Sequence, residues 1–384
     1  MKSKDNRIFA INLGSTSTKV AYYINNTCIQ KDTISHSLES LKAFDTVFEQ
    51  MDMRKSQILK YLRKYDIDLV TLDAFVSRGG QTEPIPSGVY EINEAMLKQV
   101  ESGDYGVHVC SVGCRIAYDL TRGVNARALT VDTPSTDEFE ALARYSGLKE
   151  IPRISCFQAL NQKAMAKFYA QSIGQEYHNL NLIVVMLGGG ISVVAHKKGK
   201  MVDGPDALEG DGPFSNNRCG TLPVGQLVKL CYQGVFDLHG MMKHINGEAG
   251  LLSYLGTTDI KGIEKRISEG DGYAEEVLTA MCYQVAKDIG GYATVLKGDI
   301  DAILLIGGMA NSEYITEQII ERVRFIAPVV VLPGEREMES LCLRAYDALR
   351  GTEEVRIFAP NKSYKEKSRR FFQAQELSKI TARP

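Results

Sequence analysis

Apolar and polar positions along the chain divide it into short strands and amphipathic helices in alternation. Arg7 to Leu13 is an apolar, β-branched run, and Lys19 to Ile24 carries Val, Ala, two Tyr and Ile, so both predict strands, joined by the turn Gly14-Ser15-Thr16-Ser17-Thr18. A helical period runs over Leu38 to Phe48 and again over Ser56 to Lys64, before a strand over Leu69 to Val76 leading into Arg78-Gly79-Gly80. Ser135 to Glu138 has the spacing of a capping box and predicts a helix over Glu138 to Tyr145, ended before Gly147. From Asn181 a second series opens, in which LIVVMLGGGISVVAHKKGKMV reads as strand, glycine turn and returning strand, the design of the first thirty residues. This predicts a weak internal repeat at a separation of roughly 170 residues, in two lobes of similar build. The strand AILLI runs into Gly307-Gly308 and a helix over Glu313 to Val323, and a last amphipathic helix spans Glu335 to Leu349 and stops at Gly351. The pattern is that of an α/β protein.

Length and composition narrow this only slightly. A chain of 384 residues is long enough for two domains, and 44% hydrophobic with 24% charged residues is ordinary for a globular protein. A formal net charge of -2, without an aromatic-studded basic stripe in the body, argues against a nucleic-acid partner. No run of 18 or more apolar residues suggests a membrane span, and no apolar leader precedes the first strand, so a cytosolic location is expected. The eight cysteines are scattered, with no CxxC pair and no His ligands at zinc spacing, so most are expected to be buried thiols in a reducing compartment. The last 24 residues hold seven basic and two acidic side chains, read as a solvated tail or a partner-docking helix.

The candidate chemistry begins at INLGSTSTKV. Its glycine, hydroxyls and lysine are the parts of a phosphate-gripping P-loop, but the second glycine is absent, Val20 follows Lys19, and a strand comes next instead of a helix. A hairpin turn can still hold phosphate through backbone N–H groups and hydroxyls, with Lys19 supplying charge. Alone, the stretch would serve equally as a plain polar turn. Glycine turns after strands recur at Leu187 to Ser192 and at Ile306 to Asn311, and glycine allows close approach of backbone to a ligand. Three of them favour a nucleotide site.

The stretches NLGSTSTK, SRGGQTEPIPSGVY, VDTPSTDEFEALARYSGL, ALNQKAMAKFYA, LGGGISVVAHKKGK, GDGPFSNNRCGTLPVG and VLKGDIDAILLIGGMANS together resemble the acetate kinase family of short-chain carboxylate kinases, on its butyrate kinase branch. The resemblance runs from about Ile8 to Gly351. It implies two RNase H-like lobes of the actin-like ATPase fold with a nucleotide cleft between them. The lobes expected are 1–155, rejoined by a C-terminal helix over 338–360, and 156–337, with a basic extension over 361–384. The implied reaction passes a phosphoryl group in line and reversibly from ATP to butyrate or a similar short acid, giving acyl phosphate and ADP, with Mg2+ as cofactor. A carboxylate of pKa about 4 to 5 is already ionised at neutral pH and needs no general base. It needs charge neutralisation and alignment, for which arginines and a metal ion are suited. A homodimer or larger homo-oligomer is implied as well.

By position within the shared motifs, Arg218 matches the family's active-site arginine, Arg78 a second one, and Asp132 the catalytic-site aspartate that positions substrate and metal. A surface salt bridge for each arginine and a helix cap for Asp132 are the simpler alternatives. Asn12 is expected at the metal-bound phosphates, with Gly14, Ser15, Ser17 and Lys19 beside it. Gly188, Gly189 and Gly190 are expected at the β and γ phosphates, and Gly307, Gly308, Met309, Ala310 and Asn311 at the nucleoside end. Glu335 or Glu337 is the implied metal partner. The chain departs from the family in several places. Gln158 replaces a histidine expected beside the transferring phosphoryl group, Met186 another histidine, and Ser111 an asparagine, while Arg336 stands where a further acid is usual. Two readings follow: an active, divergent kinase with Gln158 as a neutral donor, or a nucleotide- and carboxylate-binding regulatory protein with weak kinase activity. A sugar kinase, which would need an aspartate base for a hydroxyl, fits less well.

Overall fold

A computed structural model describes residues 5–361. The chain divides into two compact units, one from Met1–Thr136, Gly147–Pro152 and Glu337–Pro384, the other from Asp137–Ser146 and Arg153–Arg336. The first opens with an antiparallel meander of β1 (Arg7–Leu13), β2 (Ser17–Ile24) and β3 (Thr27–Ser35). Next come α1 (Leu38–Lys42), α2 (Met51–Lys64) and β4 (Ala74–Ser77), which lies parallel to β1. They are followed by β5 (Val89–Glu91), α3 (Glu94–Ser102), α4 (Cys110–Leu120) and β6 (Arg127–Val131). Alternate residues of β1, Phe9, Ile11 and Leu13, pack with Ile58 and Leu62 of α2, Leu97 of α3 and Val112 of α4. That one-sided core is what the helical periods encode.

Three sequence expectations differ here. The helix over Leu38 to Phe48 is only the five-residue α1, followed by a 3-10 turn at Phe48–Gln50. No residue from 41 to 50 is buried, so a longer helix would have no core to lie on. The strand over Leu69 to Val76 is a 3-10 turn at Leu69–Thr71, capped by Asp68, and then β4. The helix over Glu138 to Tyr145 is a 3-10 turn at Ala141–Arg144. Its capping box never closes: the Ser135 hydroxyl accepts from Thr82 N at 2.7 Å, while the Glu138 carboxylate accepts from Met201 N at 3.0 Å and pairs with Lys163 at 2.8 Å.

The second unit repeats the meander after α5 (Ala159–Ser172), as β7 (Asn181–Leu187), β8 (Ile191–Lys197) and β9 (Lys200–Asp203). A helical stretch follows: α6 (Val224–Tyr232), α7 (Leu238–Ile245), α8 (Gly250–Leu255), α9 (Ile260–Ser268) and α10 (Gly272–Val295). β10 (Ala302–Gly307), α11 (Glu313–Val323) and β11 (Val329–Pro333) complete it. β7 is covered on both faces. Ile183, Val185 and Leu187 pack with Leu278, Met281 and Val285 of α10, and Leu182, Val184 and Met186 with Met165 and Ala166 of α5. The unbroken apolar run of that strand follows from this double burial.

The chain then returns to the first unit. α12 (Glu337–Arg350) packs across β1, β2, β4 and β6, and β12 (Val355–Ile357) pairs parallel with β5. The expected helix over 338–360 therefore ends at Arg350, where Gly351 turns the chain at φ 75°. Beyond it, Phe358 is buried in the first core. The sheets run β12-β5-β6-β4-β1-β2-β3 and β11-β10-β7-β8-β9. Both thus contain a three-strand meander whose first strand takes a parallel neighbour, the repeat that the two glycine hairpins predict. No helix among the described residues is long and apolar enough to cross a membrane. The basic stretch from Lys362 onward lies outside the described residues.

Candidate active site

In the first unit the predicted phosphate turn sits at the β1–β2 hairpin, whose register pairs Asn12 with Lys19 and Leu13 with Thr18. Gly14 N donates to Ser17 O at 2.8 Å, closing the turn, and Ser15 and Thr16 are exposed at its tip. Asn12 is buried, and its Nδ2 donates to Glu337 Oε2 at 2.7 Å. Arg78, just past β4, brings Nη2 to 3.7 Å from Glu337 Oε1. Residues from three distant parts of the chain meet here because α12 enters with Glu337 as its first residue, lying across β1 and β4. Of the two acids proposed for the metal, Glu337 is buried within this group, whereas Glu335 is exposed and belongs to the second unit.

Among the described residues, no cluster of three or more His, Cys, Asp or Glu side chains is arranged as a metal cage. Mg2+ needs none, since it is commonly bound by one or two carboxylates together with substrate phosphates and water. The Glu337 carboxylate with the Asn12 amide beside it fits that sparse oxygen set.

Asp132 is anchored by neighbouring groups of the first unit. It sits just past β6 at φ 40°, and its carboxylate accepts from Ser87 Oγ at 2.6 Å and Gly88 N at 3.0 Å. Its other oxygen is bound by the Arg344 guanidinium of α12, which Glu353 also grips. These carboxylates hold the Arg344 pKa above its ordinary value against the effect of burial. Asp132 therefore fastens α12, the helix that carries Glu337.

In the second unit, the β7–β8 register pairs Met186 with Ser192 and Leu187 with Ile191, leaving Gly188, Gly189 and Gly190 as the turn. A Cβ on Gly190 would lie 2.3 Å from Arg218 Nη1, so the guanidinium occupies the space a side chain would fill. Arg218 Nη1 also donates to Ala207 O at 3.3 Å, and Ser215 Oγ to Gly189 O at 3.0 Å. Burial pulls the Arg218 pKa down, and nearby Cys156 and Asp206 oppose this. Gly307, at φ 91°, abuts the same strand end: a Cβ there would lie 2.4 Å from Leu187 O. It leads into the turn Gly308–Asn311, where Met309 and Ala310 are buried and Asn311 Nδ2 donates to Gly308 O at 2.9 Å.

Gln158, immediately before α5, accepts from Ser192 Oγ through Oε1 at 3.1 Å. Its Nε2 has no partner among the described residues. A buried chain continues behind it: Gln162 Nε2 donates to Ser192 O at 3.4 Å, Gln162 Oε1 meets His196 Nε2 at 3.2 Å, and His196 Nδ1 meets Tyr177 OH at 2.7 Å. Burial drives His196 down to about 3, so it is neutral at ordinary pH. The other departures are structural. Met186 Sδ accepts from Asn161 Nδ2 at 3.3 Å, Asn161 Oδ1 accepts from Arg336 N at 3.0 Å, and the Arg336 guanidinium lies 3.5 Å from the Phe168 ring centre. Ser111 is fully buried in α4, its hydroxyl without a partner among the described residues.

Each unit thus assembles one group. Asn12, Gly14, Ser15, Ser17, Lys19, Arg78 and Glu337 gather in the first; Gln158, the Gly188–Gly190 turn, Arg218 and the Gly307–Asn311 turn in the second. Sequence reasoning missed Arg54, Arg344 and His196. Only His196 lay inside one of the shared motifs, and apart from Gln50, one turn before Arg54, and Glu353, just past α12, their partners are distant in sequence.

Two mixed sheets that share the order of five strands, each with a glycine turn and a basic side chain at hand, describe an α/β protein suited to handling phosphate. Residues 155–332 match the model of the acetokinase family. A protein of Bacteroides thetaiotaomicron named probable butyrate kinase is 47% identical over 353 residues, covering 92% of this chain and 99% of that protein. Butyrate kinase 1 of Clostridium acetobutylicum is 43% identical over 352 residues, with the same coverage of 92% and 99%. The chain belongs to the acetokinase family, beside its butyrate kinases. The crystal structure of Porphyromonas gingivalis acetate kinase, at 17% identity, matches with a TM-score of 0.71 over 91% of this chain and 100% of that one, which shows the shared fold.

Proposed function

We propose that the protein transfers the γ-phosphoryl group of ATP reversibly to butyrate or a similar short carboxylic acid, giving acyl phosphate and ADP. The observation that carries this reading is the meeting of Asn12, Arg78 and Glu337, 325 residues apart at its widest, beside a turn with exposed hydroxyls. The near full-length identity with butyrate kinases supplies the class of acid. A carboxylate oxygen of the acid attacks the γ phosphorus, the bond to the β–γ bridging oxygen breaks, and ADP leaves with the electron pair. No proton changes hands.

Arg78 and Arg218 neutralise charge on the equatorial oxygens, and Gln158 Nε2 donates a neutral hydrogen bond to the same group. The Gly14–Ser17 turn with Lys19 and the Gly188–Gly190 turn hold phosphates, and the Gly307–Asn311 turn takes the nucleoside end. Glu337 and Asn12 would hold Mg2+, which when bound neutralises phosphate charge and orients the transferred group. Asp132 serves by seating α12 and hence Glu337. Val224, Val228, Tyr232, Val235 and Leu238 form an exposed apolar stretch around α6, which supports association with a second copy. The free cysteines among the described residues suit the cytoplasm.

Purified protein with MgATP, hydroxylamine and a series of C2 to C6 acids tests the reading. Hydroxamate is expected from butyrate and its neighbours in length, and Arg218→Ala should lower kcat by about 10² to 10³. Nucleotide binding without hydroxamate from any acid would replace this reading with that of a binding protein.

A further inference from the structure

Arg54 of α2 is fully buried, and none of its hydrogen bonds goes to a carboxylate. Nε and Nη2 reach Gln50 Oε1 at 3.1 and 3.0 Å; Nη1 reaches Ser17 O and Thr18 Oγ1, both at 3.1 Å; Nη2 also reaches Ser15 O at 3.0 Å. The five N–H groups of a guanidinium are thus spent on neutral oxygens. An arginine stays protonated even when burial pulls its pKa down, as it does here. The charge is felt next door: His36, whose ring meets Thr18 Oγ1 at 2.9 Å, is pushed down first by burial and then by Arg54. A buried charge without a counter-charge is expensive and calls for a compensating role.

Its location supplies one. Arg54 draws the carbonyls of Ser15 and Ser17 inward, and His36 N takes that of Thr16 at 2.9 Å. In a trans peptide the N–H points opposite its carbonyl. Three consecutive acceptors are withdrawn from the rim of the turn; the N–H of Thr16 lies opposite the pinned Ser15 carbonyl, and neither it nor the N–H of Ser15 has a partner among the described residues. What remains at the surface is a set of donors, which is how backbone binds an anion.

We propose that Arg54 is the positioning residue of the Gly14–Ser17 phosphate turn. It pins the carbonyls inward so that N–H groups and hydroxyls face the nucleotide phosphates, and those phosphates complete its unbalanced charge. This rests on the kinase reading above.

The test compares wild type with Arg54→Lys, Arg54→Met and Gln50→Met, the last loosening the fork without touching the turn. Kinetics give KM for ATP and for butyrate separately, calorimetric titration gives ADP affinity, and thermal melts report folding. Arg54→Met should raise KM for ATP by about 10-fold or more and weaken ADP to match, with KM for butyrate within about 2-fold. Arg54→Lys, which keeps charge but lacks the planar fork, should recover only part of this, and Gln50→Met should raise KM for ATP by about 2- to 5-fold. An active wild type together with folded Arg54→Lys and Gln50→Met proteins of unchanged KM for ATP would overturn the proposal and leave the kinase reading standing. These two variants also decide the matter if Arg54→Met does not fold. A wild type that neither binds ADP nor forms hydroxamate overturns both.

Discussion

In the proposed reaction Gln158 places a neutral amide where a charged donor could stand. An amide cannot gain a proton at physiological pH, and Ser192 already holds its oxygen, so its nitrogen stands as a donor of fixed character. The rate should therefore show no ionisation from this position. In Gln158→His, kcat/KM should acquire an inflection near about pH 6.5 and exceed wild type on the acid side by about 3- to 30-fold, less than the roughly 10² to 10³ that a whole donor supplies. Rates of hydroxamate formation from pH 5.5 to 8.5 for both proteins check this. The residue itself was legible immediately before ALNQKAMAKFYA, in Phe157-Gln158-Ala159-Leu160-Asn161. Its support was not, because Gln162 of α5, Ser192 and His196 of β8, and Tyr177 arrive from three segments of the chain and only the fold brings them into line.

Hairpin turns carry the next level of organisation, and the β7–β8 turn is built around an absence. Gly190 leaves room for Arg218, and Gly190→Ala would force the guanidinium away. The variant should keep a wild-type far-UV dichroism spectrum and melt within a few degrees of it, yet lose about 10²-fold in kcat, as removal of a transition-state donor does. Steady-state kinetics beside a melting curve measure the two effects separately. At this scale the sequence speaks clearly wherever burial imposes a period. β1, β2, β7, β8, β10 and α11 could all be read from their apolar runs. β3 could not, since every residue of TCIQKDTIS is exposed or half-buried at the sheet's edge and the stretch carries no apolar run. The false helix after Thr136 has the opposite cause: a valid local signal at Ser135 and Glu138 lost to distant partners, Thr82 for one and Lys163 and Met201 for the other. The site followed the same rule, with motif glycines and arginines visible and the framework residues Arg54 and Arg344 hidden by partners far away in sequence.

For the molecule as a whole, buried ionisable groups set how stability responds to pH, and they act in opposite senses. Burial, reinforced by Asp211, pushes Asp288 up to about 6, and burial does the same to Asp206. A carboxyl whose folded pKa is raised binds its proton more tightly when folded, so its contribution falls as pH rises from about 4 to about 6. His196, lowered to about 3, works the other way: the unfolded chain takes up the proton first, so stability falls as pH drops below about 6.5. Asp288→Asn should accordingly stabilise the protein by about 1 to 2 kcal/mol at pH 7.5 and by little at pH 4.5, read as the difference in melting temperature at the two pH values. A different consequence follows from the return of α12 and β12 to the first sheet. On the ribosome, the stretch Arg153–Arg336 has emerged in full while the opening unit still lacks its last helix and edge strand. Glu337 and Phe358 reach Asn12 and the first core only after the whole second unit has been made. A nascent or prematurely terminated chain thus carries an open sheet face and half of a nucleotide grip. The protein's readiness to work is therefore coupled to translation running past the second unit.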